Sequence, residues 1–221
     1  MSTSKTHVYF IPGMAAGKEI FKNISLPTSK FETHIIEWII PEKNEPIQDY
    51  AIRMAQFVIE PDAVLIGVSF GGLVAQEMSL FLRLKKLIII SSVKNRSELP
   101  KRFRLAQKTL AYKLVPTSLV LGANDLTKFA LGPKTEKRLK LYQQYLHVRD
   151  KDYLDWAIEN MVSWERNETI EGVIHLHGDR DIVFPVKNIK DCHIIEGGTH
   201  IMLLNKGSVI SQKLIDIIEN N

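Results

Sequence analysis

Cysteine is almost absent from this 221-residue chain, because Cys192 is its single example. One cysteine excludes an intramolecular disulfide bond and any metal site built from several thiolates. A lone cysteine within a β-type segment is most often a small buried hydrophobic residue. We therefore assign Cys192 no function.

Long apolar segments are missing as well. Nowhere do eighteen consecutive apolar residues occur, so the sequence predicts no membrane-spanning helix. Residues 1–6 are not followed by the apolar stretch that a secretory signal peptide requires. We therefore expect a cytoplasmic protein with no membrane partner.

Histidine spacing typical of metal sites is also lacking. The seven histidines include no H-E-x-x-H pair or similar ligand spacing along the chain. We therefore expect no metal ion and no other cofactor. His177, which ends a β-type segment, is interpreted as a structural histidine, although its place beside a polar loop leaves a supporting role open.

The charged residues are of mixed sign but unevenly distributed. The formal net charge is +4, yet residues 96–149 hold twelve lysines and arginines against three acids. This segment has neither the exposed aromatic pattern nor the motif of a nucleic-acid-binding protein, so we expect no nucleic-acid partner. A solvated helical surface is the favoured interpretation, and a basic rim that attracts an anionic substrate is the alternative.

What the sequence does contain is an alternation of β-type and helical segments. Apolar runs without polar alternation, such as residues 63–66 and 87–90, are typical of central parallel strands. Amphipathic helical patterns separate most of the runs, which predicts an α/β fold with a mostly parallel sheet covered on both faces. The predicted strands are residues 7–11, 33–40, 63–68, 86–91, 172–177 and 193–196, and the clearest helices are 47–59, 72–84 and 208–218.

The most informative motif is G-x-S-x-G at residues 67–71. It directly follows the apolar run 63–66 and precedes a helical pattern, so Ser69 lies in a sharp turn between a strand and a helix. Such a turn strains the serine backbone and exposes its hydroxyl group above a helix N-terminus. The sequence therefore predicts that Ser69 is a nucleophile.

A serine nucleophile needs a base and usually an acid that orients the base. His200 follows the strand 193–196 and a glycine turn, which places it on a loop at the edge of the sheet. The loop after strand 172–177 supplies two candidate acids, Asp179 and Asp181. The order along the chain is therefore serine, acid, histidine.

This order resembles that of the α/β-hydrolase fold family, and so does the G-x-S-x-G turn at residues 67–71, which in that family is called the nucleophile elbow. The resemblance spans nearly the whole chain. In that family the acid loop often reads G-x-x-D-x-x-V/F-P, a pattern that favours Asp181 over Asp179. Some members of the family carry the acid after the preceding strand, but residues 91–95 of this chain contain no carboxylate. Little sequence precedes residue 7, so we expect the antiparallel leading strands of larger members to be missing.

The resemblance also implies an oxyanion hole, the pair of N–H donors that binds the charged oxygen of the intermediate. Residues 12–17 are similar to the family's H-G-x-x-x-G loop, with Pro12 in place of the histidine. In the family, one donor comes from this loop and the other from the residue after the nucleophile. We therefore assign the donors to the backbone N–H groups of Met14 and Phe70.

Strand and helix alternation stops between residues 93 and 170, where helical patterns at 102–114, 134–148 and 152–164 occur. A helical insertion at this point resembles the cap domain of the family. We therefore predict a core formed by residues 1–94 and 170–221, and a helical cap formed by residues 95–169.

The resemblance implies a serine hydrolase that acts on a small-molecule acyl substrate, a carboxylic ester or thioester, through an acyl-enzyme intermediate. Ser69, Asp181 and His200 would form the catalytic triad. The alternatives are an acyltransferase, a carbon–carbon bond hydrolase or lyase, and a non-catalytic ligand-binding protein. The oligomeric state, the acyl chain length and the leaving group do not follow from the sequence.

Overall fold

The computed structural model describes residues 5–110, 148 and 150–220. Six parallel strands form one sheet in the order β2-β1-β3-β4-β5-β6. The strands are β1 Thr6–Ile11, β2 Phe31–Ile35, β3 Ala63–Val68, β4 Leu84–Ile90, β5 Ile174–Gly178 and β6 His193–Ile195. The α-helices within the described ranges are α1 Ile47–Ala55, α2 Phe70–Met78, α3 Lys101–Thr109, α4 Lys151–Ser163 and α5 Gly207–Glu219.

Two apolar layers cover the sheet, one on each face. Leu65 of β3 packs in a cluster with α1, α2 and α4, whereas its neighbour Ile66 packs in a second cluster with α5. The side chains of adjacent strand residues point to opposite faces, so a strand buried on both faces has to be apolar at every position. This arrangement confirms the predicted α/β architecture, with Ser69 at the carboxyl end of a central strand. None of the described helices is long and apolar enough to cross a membrane.

Several predicted elements end earlier than the sequence pattern suggested. The strand predicted over residues 33–40 ends at Ile35, because Ile39 exchanges hydrogen bonds with the Tyr50 hydroxyl group and not with β1. The helix predicted over residues 72–84 begins at Phe70 and ends at Met78. Leu84, at the end of that predicted helix, is the first residue of β4.

The insertion between β4 and β5 leaves and re-enters the core at one place. The Arg96 N–H group donates to the Arg166 carbonyl oxygen over 2.7 Å, and the Asn95 amide donates to the Thr169 hydroxyl over 2.8 Å. Helices α3 and α4 correspond to the predicted helical patterns at 102–114 and 152–164. The pattern at 134–148 lies outside the described residues except for Val148. The division into a core and a cap stays a prediction.

Glu77 links the elbow helix α2 to the end of the insertion. Its buried carboxylate accepts hydrogen bonds from Trp164 Nε1 at 2.8 Å, Arg166 Nε at 3.1 Å and Arg166 Nη2 at 2.9 Å. Removing one partner of a buried ion pair leaves the other charge without compensation. The Glu77–Arg166 pair therefore fixes where the chain returns to the core.

We expect Glu77→Gln to lower the free energy of unfolding by about 3–5 kcal/mol, because the Arg166 guanidinium loses its counter-charge. Urea unfolding measures this change. Arg83→Gln is the matched control, since its pair with Asp62 is mostly exposed and should contribute at most about 1 kcal/mol. Equal losses in both variants would contradict the assigned role of Glu77.

Candidate active site

Ser69 lies in a strained turn between β3 and α2. Its backbone φ of 53° and ψ of −119° are unusual for a residue other than glycine. A Cβ atom on Gly67 would lie 2.3 Å from the Gly71 carbonyl oxygen, and one on Gly71 would lie 2.2 Å from the Pro12 carbonyl oxygen. The two outer glycines of the G-x-S-x-G motif are therefore required by close backbone packing.

The structure brings together the three side chains that the sequence analysis selected. Ser69 Oγ lies 2.8 Å from His200 Nε2, and His200 Nδ1 lies 2.9 Å from Asp181 Oδ2. The three residues follow β3, β5 and β6, and the carboxyl ends of these parallel strands share one edge of the sheet. Asp179, the alternative acid, is exposed. The geometry therefore favours Asp181, and the catalytic roles stay predictions.

Asp181 is oriented by the backbone of its own loop. Its Oδ1 atom accepts hydrogen bonds from the amides of Val183 at 2.8 Å and Phe184 at 2.9 Å, which leaves Oδ2 for His200. Burial acts to raise the pKa of the Asp181 carboxyl, but the charge and hydrogen bond of His200, together with the Phe184 amide, lower the pKa overall. The resulting carboxylate accepts a hydrogen bond from the His200 Nδ1–H group, so Nε2 carries the lone pair that faces Ser69.

A second buried histidine, His177, contacts the loop that carries Asp181. A supporting role for His177 was the minor alternative in its interpretation from sequence. His177 Nε2 lies 2.8 Å from the Phe184 carbonyl oxygen and 3.6 Å from Asp181 Oδ2. Because a carbonyl oxygen only accepts, the proton of His177 is on Nε2, and its Nδ1 accepts from His175 Nε2 at 3.0 Å. The signal in the sequence was the place of His177 at the strand end before the acid loop.

The His175–His177 pair should make stability depend on pH. Burial lowers the pKa of both imidazoles, so they stay neutral when histidines of the unfolded chain take up protons. The stability that depends on their neutral form is therefore complete above about pH 6.5, the pKa of a histidine in the unfolded chain. It is lost as the pH falls from there toward the lower pKa values of the folded protein.

We expect His175→Gln to flatten this dependence, with urea unfolding between pH 7 and pH 5 as the measurement. The variant has one fewer histidine that binds a proton only in the unfolded state. The slope of the free energy of unfolding against pH should therefore fall by up to about 1.4 kcal/mol per pH unit. Identical slopes in wild type and His175→Gln would disprove this account.

The loop after β1 lies directly against Ser69. A Cβ atom on Gly13 would be 3.5 Å from Ser69 Cβ. The Gly13 carbonyl oxygen accepts hydrogen bonds from the Ala16 amide and from Trp38 Nε1, each at 3.0 Å. In a trans peptide the N–H group points away from the carbonyl group, so these two bonds fix the direction of the Met14 N–H group.

Phe70 is the first residue of α2, and the N–H groups of a first helical turn have no partner within the helix. Its buried ring lies 5.6 Å from the ring of Trp38 and 5.7 Å from that of Trp156, measured between centroids. The elbow, the loop after β2 and the insertion helix α4 thus share one aromatic contact. The assignment of the Met14 and Phe70 amides as oxyanion donors stays a prediction.

The other end of the sheet carries a group of possible metal ligands. Among the described residues, His7, Glu32 and His34 form a set whose ligand atoms lie within 4.8 Å of one another. His7 and Glu32 are the second residues of β1 and β2, and His34 pairs with Tyr9 in the middle of β1, whereas Ser69 follows the carboxyl end of β3. This set gives no signal in local sequence spacing, because its members approach one another across two strands.

No family model matches the sequence, and no curated protein matches it. Solved structures do resemble it. An esterase from Exiguobacterium antarcticum is 16% identical with a TM-score of 0.68, covering 98% of this chain and 93% of its own. A hydrolase from Pseudomonas aeruginosa PA01 is 12% identical with a TM-score of 0.71, covering 98% and 91%. A bromoperoxidase from Bacillus anthracis is 14% identical with a TM-score of 0.67, covering 98% and 93%. Identities this low show a shared fold alone.

Proposed function

The chain has the α/β-hydrolase fold, and on this fold we propose that it is a serine hydrolase that cleaves a small carboxylic ester or thioester. The observation that carries the proposal is the continuous hydrogen-bonded chain from Ser69 Oγ through His200 to Asp181, with distances of 2.8 Å and 2.9 Å. A serine hydroxyl, an imidazole and a buried carboxylate in this order activate the serine for acyl transfer.

The mechanism follows from the position of each group. His200 Nε2 takes the hydroxyl proton as Ser69 Oγ attacks the substrate carbonyl carbon, and it then gives that proton to the leaving group. Asp181 holds the imidazole and stabilises its charged form. The amides of Met14 and Phe70 bind the oxyanion, and water, activated by His200, releases the acid from the acyl-enzyme. These steps require no cofactor.

The surroundings of the elbow support a substrate with an uncharged acyl group. The Phe70 ring contacts both Trp38 and Trp156, and the three rings form an apolar group beside the turn at Ser69. The base and the acid are themselves shielded, since His200 is 8% and Asp181 4% exposed. Exclusion of water strengthens the interaction between the imidazolium and the carboxylate in the transition state.

We expect a fluorophosphonate probe to label the purified protein at Ser69, as mapped by mass spectrometry of the modified peptide. Ser69→Ala should abolish labelling, and His200→Ala should slow it by about a thousandfold or more because the hydroxyl proton has no acceptor. Ser97→Ala changes an exposed serine and serves as the control.

Hydrolysis of p-nitrophenyl esters of increasing acyl length should follow the same variants, with a burst of nitrophenol when deacylation is slow. Adding an alcohol acceptor distinguishes hydrolysis from acyl transfer. Labelling at another residue, or a folded wild-type protein that neither reacts nor turns over, would overturn the proposal and favour a ligand-binding protein.

Trp38→Phe tests the oxyanion loop. The variant keeps an aromatic ring but removes the indole N–H donor to the Gly13 carbonyl oxygen, so the direction of the Met14 amide is less firmly fixed. We expect kcat to fall roughly tenfold with little change in KM, less than the hundredfold or more that loss of a donor itself costs.

Trp156→Phe is the matched control for this change. It also removes an indole hydrogen bond, of 2.7 Å to the Glu45 carbonyl oxygen, but one that does not contact the loop after β1. Both variants should lose similar stability, and Trp38→Phe alone should lose kcat. An equal loss of kcat in both would refute the role given to Trp38.

A further inference from the structure

Three side chains with metal-binding atoms meet on one face of the sheet at β1 and the edge strand β2. The parallel register pairs His7 with Glu32 and Tyr9 with His34. Paired residues of neighbouring strands share a face, and so do residues two apart in one strand. His7, Glu32 and His34 therefore project to the same side as Tyr9.

The distances among these groups suit a single ion. His7 Nδ1 lies 3.0 Å from His34 Nε2, and all three ligand atoms lie within 4.8 Å of one another. Two nitrogens bound tetrahedrally to zinc at about 2.0–2.1 Å would be about 3.3 Å apart. The two ring nitrogens now share a hydrogen bond, so binding one ion would require them to separate by a few tenths of an ångström and the rings to turn until both lone pairs face the ion.

The rings are held in place before any ion binds. The His7 and His34 rings are stacked with centroids 5.3 Å apart and planes within 10°. The buried Tyr9 ring stacks on the other histidine of the pair, His34, at 4.5 Å. Both histidines are half-buried and Glu32 is exposed, so solvent reaches the group. Little side-chain ordering would accompany binding.

We propose that His7, Glu32 and His34 form a binding site for a divalent transition-metal ion of the zinc class. Two imidazole nitrogens and one carboxylate suit Zn²⁺, Ni²⁺ or Cu²⁺, whereas Mg²⁺ and Ca²⁺ prefer oxygen ligands alone. Water would complete the coordination. Because the ligands come from two strands, the ion would fasten the edge strand β2 to β1.

This proposal departs from the expectation of no metal that the sequence supported. It is independent of the proposed hydrolysis, because the ligands lie on β1 and the edge strand β2, and none of them takes part in the hydrogen bonds that join Ser69, His200 and Asp181. The metal site can therefore be tested in the Ser69→Ala protein as well as in the wild type.

The test uses untagged full-length protein that has been freed of metal with a chelator. Zn²⁺ is titrated in competition with a chromophoric indicator, Co²⁺ is followed by its visible absorption, and the unfolding temperature is recorded with and without Zn²⁺. We expect one ion per chain, a Co²⁺ spectrum with nitrogen coordination, and a higher unfolding temperature with Zn²⁺.

Substitution of the ligands should weaken binding in a graded way. We expect Glu32→Gln to weaken Zn²⁺ binding at least about tenfold and His34→Gln at least about a hundredfold, since loss of an outer-shell partner alone costs 10–100-fold. The exposed His193 supplies the control variant His193→Gln, which should bind like wild type.

Glu32 is exposed, so its substitution tests the site even where a change at His34 disturbs folding. Absence of stoichiometric Zn²⁺ binding by the wild type at 100 µM would overturn the proposal, a concentration chosen at about the weak limit of a specific site. Unchanged affinity in both Glu32→Gln and His34→Gln would overturn it too. Fluorophosphonate labelling of Ser69, measured on the same samples, separates failure of this site from failure of the proposed hydrolase.

Discussion

Close approach of three backbone segments around Ser69 is the constraint on which the rest of the site depends. No Cβ atom fits at Gly67 or Gly71, because the carbonyl oxygens of Gly71 and Pro12 would lie within 2.3 Å of it. This packing joins β3, α2 and the loop after β1 into one unit. It holds the Ser69 backbone in an unfavourable conformation, in which the hydroxyl reaches His200, and it brings Gly13 against Ser69.

Structural features that depend on a few consecutive residues could be predicted from the sequence. The uninterrupted apolar runs identified β3 and β4 because a strand buried on both faces has no polar position. The glycines around Ser69 and the pattern from Gly178 to Pro185 selected two loops that the structure places at one sheet edge. Helix and strand ends were less predictable, since they depend on distant partners. Ile39 lies outside the sheet because its N–H and C=O groups form hydrogen bonds with the Tyr50 hydroxyl group. No local sequence pattern reveals this interaction.

Contacts between residues on different strands could not be predicted from the sequence for a related reason. His7 and His34 are 27 positions apart, and only the register of β1 with β2 brings their rings together. His177 was noticed beside the acid loop, but its proton position follows from the Phe184 carbonyl oxygen and from His175, which the fold alone supplies. Spacing along the sequence identifies ligands that share one helix or strand, and His7 and His34 lie on different strands.

The insertion between β4 and β5 begins and ends at adjoining residues, tied by the Arg96–Arg166 and Asn95–Thr169 hydrogen bonds. For a segment closed at its base, the entropy of closure grows only with the logarithm of its length. Closure entropy alone therefore sets little limit on the length of this segment, but its last helix, α4, packs in the apolar cluster over β3 and Arg166 pairs with Glu77, so these parts have to stay. A protein engineer can therefore vary the length of the chain between α3 and α4 while Ser69, Asp181 and His200 stay where the strands β3, β5 and β6 hold them.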